Sequence, residues 1–214
     1  MTQKLLAEAL GTGMLLIAVV GSGIMAETLT DDVAVALLAN AIATGCALYL
    51  LITVLGPISG AHFNPAVTLA FFLRKDIDGV SALKYSAVQI GGGILGVWLT
   101  HVMFDQAIWQ LSATARTGAA QWVSEVFATF GLLFVIFGGL RSRPEAVPTL
   151  VALYITGAYW FTASTSFANP AVTIARTLSD TFAGIDPAHA PAFIVAQVIG
   201  VAVAAVSLPR LFRP

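Results

Sequence analysis

The pentapeptide Asn-Pro-Ala-Val-Thr occurs twice, at 64–68 and 169–173, and each copy opens a ten-residue apolar run ending at Leu73 or Leu178. As a helix, such a run covers roughly 15 Å, half of a bilayer core about 30 Å thick. Six longer apolar stretches surround the pair, roughly 5–25, 33–55, 80–103, 120–140, 147–166 and 190–211, each long enough for a spanning helix of about 20 residues. Two identical half-length starts among six full-length runs leave few folds open. The short runs are expected to enter the membrane and turn back. Irregular backbone survives at that depth only where it is buried in protein or lines a wet cavity.

Composition agrees with a membrane setting. Of 214 residues, 58% are hydrophobic and 10% charged, against about 25% charged in a soluble domain. That shortfall excludes a soluble enzyme and a disordered chain, and a net charge of −1 gives no field for nucleic acid. The single cysteine, Cys46, excludes an internal disulfide or a cysteine metal cluster, and is expected as a small buried hydrophobe. Lys4 precedes the first apolar run without a cleavage signature, so that run reads as a retained span. No alternation long enough for a β-barrel is present. The expected class is an all-α membrane protein with six transmembrane helices and two re-entrant half-helices.

Basic residues orient it, because cytoplasmic loops are rich in Lys and Arg. With the N-terminus inside, Lys4, Arg74, Lys75, Lys84, Arg141, Arg143, Arg210 and Arg213 lie on the cytoplasmic side, and Arg116 and Arg176 outside. Both termini are therefore expected in the cytoplasm. The halves also match. Glu8 is echoed by Glu125, Asn64 by Asn169, and Gln89 by Gln197. Three spans per half is an odd number, so the copies must lie inverted relative to each other. The reading is a single transmembrane domain, 1–214, with repeat one at 1–103, a connector at 104–119 and repeat two at 120–214. Glycines at 11, 13, 21, 23, 45, 91–93, 96, 131, 157 and 200 suit close helix packing.

Asn64 and Asn169 are good N-caps, with Pro65 and Pro170 at the first helical position, where a missing N–H costs nothing. The capping oxygen accepts from the backbone, which leaves the side-chain NH₂ as a fixed donor toward a lumen. Inversion brings the two helix starts together near the midplane, each with about +0.5 charge from its dipole. Ala66 and Ala171 are small enough to let them touch. Such a site suits a neutral hydrogen-bonding solute and repels cations.

Taken together, Ser59-Gly60-Ala61-His62-Phe63-Asn64-Pro65-Ala66-Val67-Thr68, the second Asn-Pro-Ala at 169–171 and the two glutamate motifs resemble bacterial members of the aquaporin/glycerol-facilitator (major intrinsic protein) family. The likeness covers essentially the whole chain. It implies one pore per subunit, a homotetramer in the inner (plasma) membrane, small neutral solutes and water as cargo, and no cofactor. It also implies an outer filter of four positions. Counting from the two asparagines places these at Thr44, Gly157, Ser166 and Val172. Gly157 matches glycerol channels, whereas Val172 replaces the family's arginine and Thr173 stands where glycerol channels carry aspartate. A filter of this composition is expected to be wide and uncharged, with Arg176 one turn further out. The implied function is aquaglyceroporin-like passage of glycerol, urea and metalloid acids such as arsenite.

Several readings stay open on the residues alone. Glu8 and Glu125 are intramembrane carboxylates, either proton-relay groups or acceptors for the backbone of the re-entrant loops. In the second reading an amide at Glu8 keeps most of those bonds. His62 is either a pH gate or a support for the loop before Asn64. An orthodox water channel and an ion-coupled secondary transporter are the competing functions. No hydrolase motif or metal-ligand spacing supports an enzyme.

Overall fold

Where the sequence breaks its apolar runs with a short polar residue, a helix begins. Asp32 Oδ1 accepts from the N–H of Ala34 at 2.8 Å and of Val35 at 3.3 Å, and Asp78 Oδ1 accepts from that of Ser81 at 2.9 Å. The computed structural model describes residues 1–212, so Arg213 lies outside the described residues. Its helices are α1 (Thr2–Leu29), α2 (Val33–Ser59), α3 (Pro65–Leu73), α4 (Gly79–Met103), α5 (Ala119–Ser142), α6 (Val147–Phe161), α7 (Pro170–Arg176) and α8 (Ala190–Leu211). No strand occurs among the described residues. α3 and α7 are the two half-helices. Of the six long ones, α1, α2, α4, α5 and α8 are long and apolar enough to cross a membrane unaided. α6 has 15 residues and ends at Phe161, short of the expected 166, because Thr162 is extended and residues 162–169 form the loop leading to α7.

Both faces of the long helices are apolar, so small residues rather than a polar/apolar contrast decide which face packs. A Cβ added at Gly92 would lie 2.2 Å from the Ala9 carbonyl oxygen, and one at Gly96 would lie 2.3 Å from that of Gly13. These two positions bring α1 and α4 into backbone contact. α5 and α8 meet similarly at Gly200, 2.7 Å from the Val126 carbonyl oxygen by the same measure. Gly91 faces open space, and Gly157 meets only Phe161 of its own helix. Neither is a packing glycine. The half-helices cross over: α3 packs against α8 as well as α4, and α7 packs against α4 and α1 as well as α8.

Cys46 is exposed on the outer face of α2, not buried. It lies two residues beyond buried Thr44, about 200° around the helix, so it points away from the interior.

Candidate functional site: a lined passage between two re-entrant loops

Each half holds its re-entrant loop with one buried carboxylate. Glu8 Oε1 accepts from Ser59 Oγ at 2.6 Å and the His62 N–H at 3.0 Å, while Oε2 accepts from the Phe63 N–H and Gln89 Nε2, both at 2.7 Å. Glu125 repeats this with Ser164 Oγ (2.6 Å), the N–H groups of Phe167 and Ala168 (2.9 Å each) and Gln197 Nε2 (2.6 Å). The loops turn their N–H groups inward by left-handed backbone at matched positions, Ala61 and Phe63 in one, Ser166 and Ala168 in the other. Every one of these partners is a donor. An amide at Glu8 would therefore set its own NH₂ against them, contrary to the expectation that it keeps most of the bonds. The glutamines brace the half-helices too: Gln89 Nε2 donates to Thr68 Oγ1 at 3.0 Å and Gln197 Nε2 to Thr173 Oγ1 at 2.9 Å.

Asn64 and Asn169 cap α3 and α7 as expected, accepting from the N–H of Ala66 at 2.8 Å and of Ala171 at 3.0 Å. Their amides do more than face a lumen. Asn64 Nδ2 donates to the Ala168 carbonyl at 2.7 Å, and Asn169 Nδ2 donates to the Phe63 carbonyl at 2.9 Å. Each asparagine thus spends one N–H tying its own loop to the other and keeps one for the cavity it lines. Pro65 and Pro170 start the two helices, and Ala66 and Ala171 are fully buried where the helices touch.

A cavity of about 210 Å³ runs past both asparagines. At one end it reaches Phe71, Leu140 and Val147, beside the basic segments 74–75 and 141–143; at the other it reaches Tyr159, Ser166, Val172 and Arg176. Two of the four expected filter residues, Ser166 and Val172, line it; Thr44 and Gly157 do not. The α6 face turned inward is Val147, Val151, Ile155 and Tyr159, at helical spacing. Gly157 lies between these on the opposite side, and nearby Leu153 is 65% exposed. The count from Asn169 back to α6 thus misses the lining face by two residues. Tyr159 takes the place assigned to Gly157, and its hydroxyl lies 3.1 Å from Thr44 Oγ1. Aromatic bulk, expected to be missing, is present. Ser166 Oγ is buried in the wall with no hydrogen-bond partner among the described residues.

The residues around the second loop were partly invisible to motif reading. His62 stacks on Phe71 with ring centroids 4.5 Å apart, and its Nδ1 lies 3.1 Å from Thr68 Oγ1. At the matching positions of the second half stand Phe167 and Arg176, and the Arg176 guanidinium carbon lies 3.5 Å from the Phe167 ring centroid. Arg176, at the end of α7 one turn after Val172 as expected, is 3% exposed, and its Nε donates to the Ala183 carbonyl. Arg116, expected only as an orientation marker, ties the connector to the loop after α7. Its Nε donates to the Gly184 carbonyl at 2.8 Å and a terminal nitrogen to that of Phe182 at 3.2 Å. No group of three or more His, Cys, Asp or Glu is placed to hold a metal among the described residues. His101 instead hydrogen-bonds Ser179 and the Ile108 carbonyl.

Comparison with known proteins agrees with this geometry. The chain is 55% identical to "Aquaglyceroporin AqpS" of Rhizobium meliloti (strain 1021), an alignment covering 100% of this chain and 92% of that protein. It is 36% identical to "Nodulin-26" of Glycine max over 64% of this chain and 50% of that protein. The X-ray structure of the aquaglyceroporin from Plasmodium falciparum shares the fold, with a TM-score of 0.74 over 98% of each chain at 21% identity. Residues 1–163 match the family described as "Major intrinsic protein", and the chain belongs to that family.

Proposed function

We propose that this multi-pass membrane channel for small uncharged solutes conducts through the cavity between its two re-entrant loops, passing glycerol, urea and trihydroxy metalloids such as arsenous acid along with water. The carrying observation is the outer end of that cavity. Val172 leaves the position after the second Asn-Pro-Ala without charge, and Tyr159 brings an aromatic ring and its hydroxyl to the same end of the cavity. A wall that is part apolar and part hydroxyl fits a solute with a hydrocarbon or metalloid body and several OH groups. The name of the rhizobial relative, an aquaglyceroporin, supports the same reading. Thr44 acts through Tyr159, holding the ring by its hydroxyl. Glu8, Glu125 and His62 support the loops, and no proton coupling is needed for transport. Eight of ten basic residues on one side support cytoplasmic termini in an inner membrane, and family resemblance supports a homotetramer.

Stopped-flow measurements on the purified chain in liposomes test this with water, glycerol, urea and arsenite. Glycerol and arsenite should equilibrate faster than in protein-free vesicles, at the same rate with and without a pH gradient. Passage of water alone would make it an orthodox water channel, and a gradient-dependent rate would make it a transporter.

A further inference from the structure

The position after the second Asn-Pro-Ala carries no charge, yet a guanidinium reaches the same cavity from one turn further along α7. Four residues of helix separate Val172 from Arg176, about 6 Å along the axis. Two contacts fix where that group sits, and one of them is itself anchored. Its carbon lies 3.5 Å from the Phe167 ring centroid, its Nε donates to the Ala183 carbonyl, and Phe167 is itself held by Glu125 through its N–H at 2.9 Å. Among the described residues the two terminal nitrogens of Arg176 make no hydrogen bond, while the residue lines the cavity. By contrast, Arg116, 5.2 Å from the same ring centroid, donates to the loop carbonyls of Gly184 and Phe182.

We propose that Arg176 is the fixed cation of this pore: anchored by Phe167 and Ala183, it excludes cations at the outer end while the constriction at Tyr159, Ser166 and Val172 stays neutral. This rests on the cavity being the conducting path. The charges facing Arg176 are consistent with such a role. Glu125 spends both oxygens on four donors, and Arg116 adds a second positive charge nearby. Dividing size selection from charge selection lets the channel reject cations without narrowing the passage for polyols.

The test uses the full chain in planar bilayers and in liposomes. The probe is methylammonium, a cation with fewer heavy atoms than glycerol, so charge and not size decides its fate. The parent should pass glycerol and show no methylammonium conductance. Arg176→Gln should raise that conductance at least tenfold over the parent, whatever its glycerol flux, and Arg176→Lys should remain tight. Arg176→His supplies a readout that a merely structural role would not move. Its conductance should be lower at pH 5.5, where an imidazole with a reference pKa of about 6.5 carries charge, than at pH 8. Conductance in the histidine variant that is low and independent of pH, or an Arg176→Gln channel that passes glycerol and stays tight, would overturn the proposal. Should Arg176→Gln fail to fold, the pH comparison within Arg176→His still decides. A parent that passes no glycerol would instead overturn the conducting path itself.

Discussion

The Tyr159 hydroxyl lies 3.1 Å from Thr44 Oγ1, joining α6 to α2 beside the Val172 end of the cavity. Tyr159→Ala should open that end, so that a four-carbon polyol enters several times faster while water flux changes less. Thr44→Val should leave the buried hydroxyl unpaired and cost about 1 kcal/mol of stability. Liposome swelling and thermal unfolding in detergent check the two halves of this expectation.

Val172→Arg places a long cationic side chain in the cavity next to Tyr159 and Ser166. Glycerol and arsenite fluxes should fall much more than water flux, tenfold or beyond. Equal loss of all three in stopped-flow traces would put the narrowest point elsewhere.

Asn169→Asp keeps the helix cap, because a carboxylate oxygen still accepts from Ala171, but it loses the donor to the Phe63 carbonyl. It also puts a negative charge near the middle of the passage. Cation conductance should rise and stability should fall by roughly 1–3 kcal/mol. Asn169→Ala, which removes the link without adding charge, should lose stability and remain tight to cations.

Glu8→Gln replaces an acceptor of four hydrogen bonds with an amide that accepts on one atom only. About 3–6 kcal/mol should be lost, since two of the four bonds disappear and hydrogen bonds to a charged group are worth roughly 1.5–3 kcal/mol each. Whatever protein folds should show the parent's pH profile of glycerol flux. Glu8→Leu, with no acceptor at all, should give little folded protein on gel filtration. A changed pH profile in Glu8→Gln would restore the proton-relay reading.

Gly92→Ala should push α1 from α4, since its Cβ would sit 2.2 Å from the Ala9 carbonyl oxygen. About 1–3 kcal/mol should be lost to overpacking. Gly91→Ala, next to it but facing open space, should be neutral or slightly stabilising. Side-by-side melting curves compare the pair.

The caps, the two half-helices and the matched glutamates were legible because each is local or repeated: Asn-Pro at a helix start, and a carboxylate at the same depth in both halves. Legibility ended where it depended on loop length. Counting from Asn169 assigned Gly157 to the passage, but α6 turns Tyr159 inward instead. The same count missed that Phe167 and Arg176 stand where His62 and Phe71 stand in the first half, since unlike residue types hide a shared position. The cross-links from Asn64 and Asn169 were also beyond reach. A free amide and one bound to a carbonyl a hundred residues away read identically in sequence. Cys46 shows the reverse limit, because on a helix apolar all round nothing in the composition tells the lipid side from the interior.

Since the Asn64 amide is bound to Ala168 and the Asn169 amide to Phe63, neither loop can be finished during synthesis until the other exists. While α5 and α6 are being made, α1 to α4 already stand in the bilayer with one amide and one carbonyl at mid-depth awaiting partners. Both vacancies close when α7 folds in. Biogenesis of this channel therefore ends in one concerted step, and a chain severed in the connector should yield two fragments that mature only when expressed together.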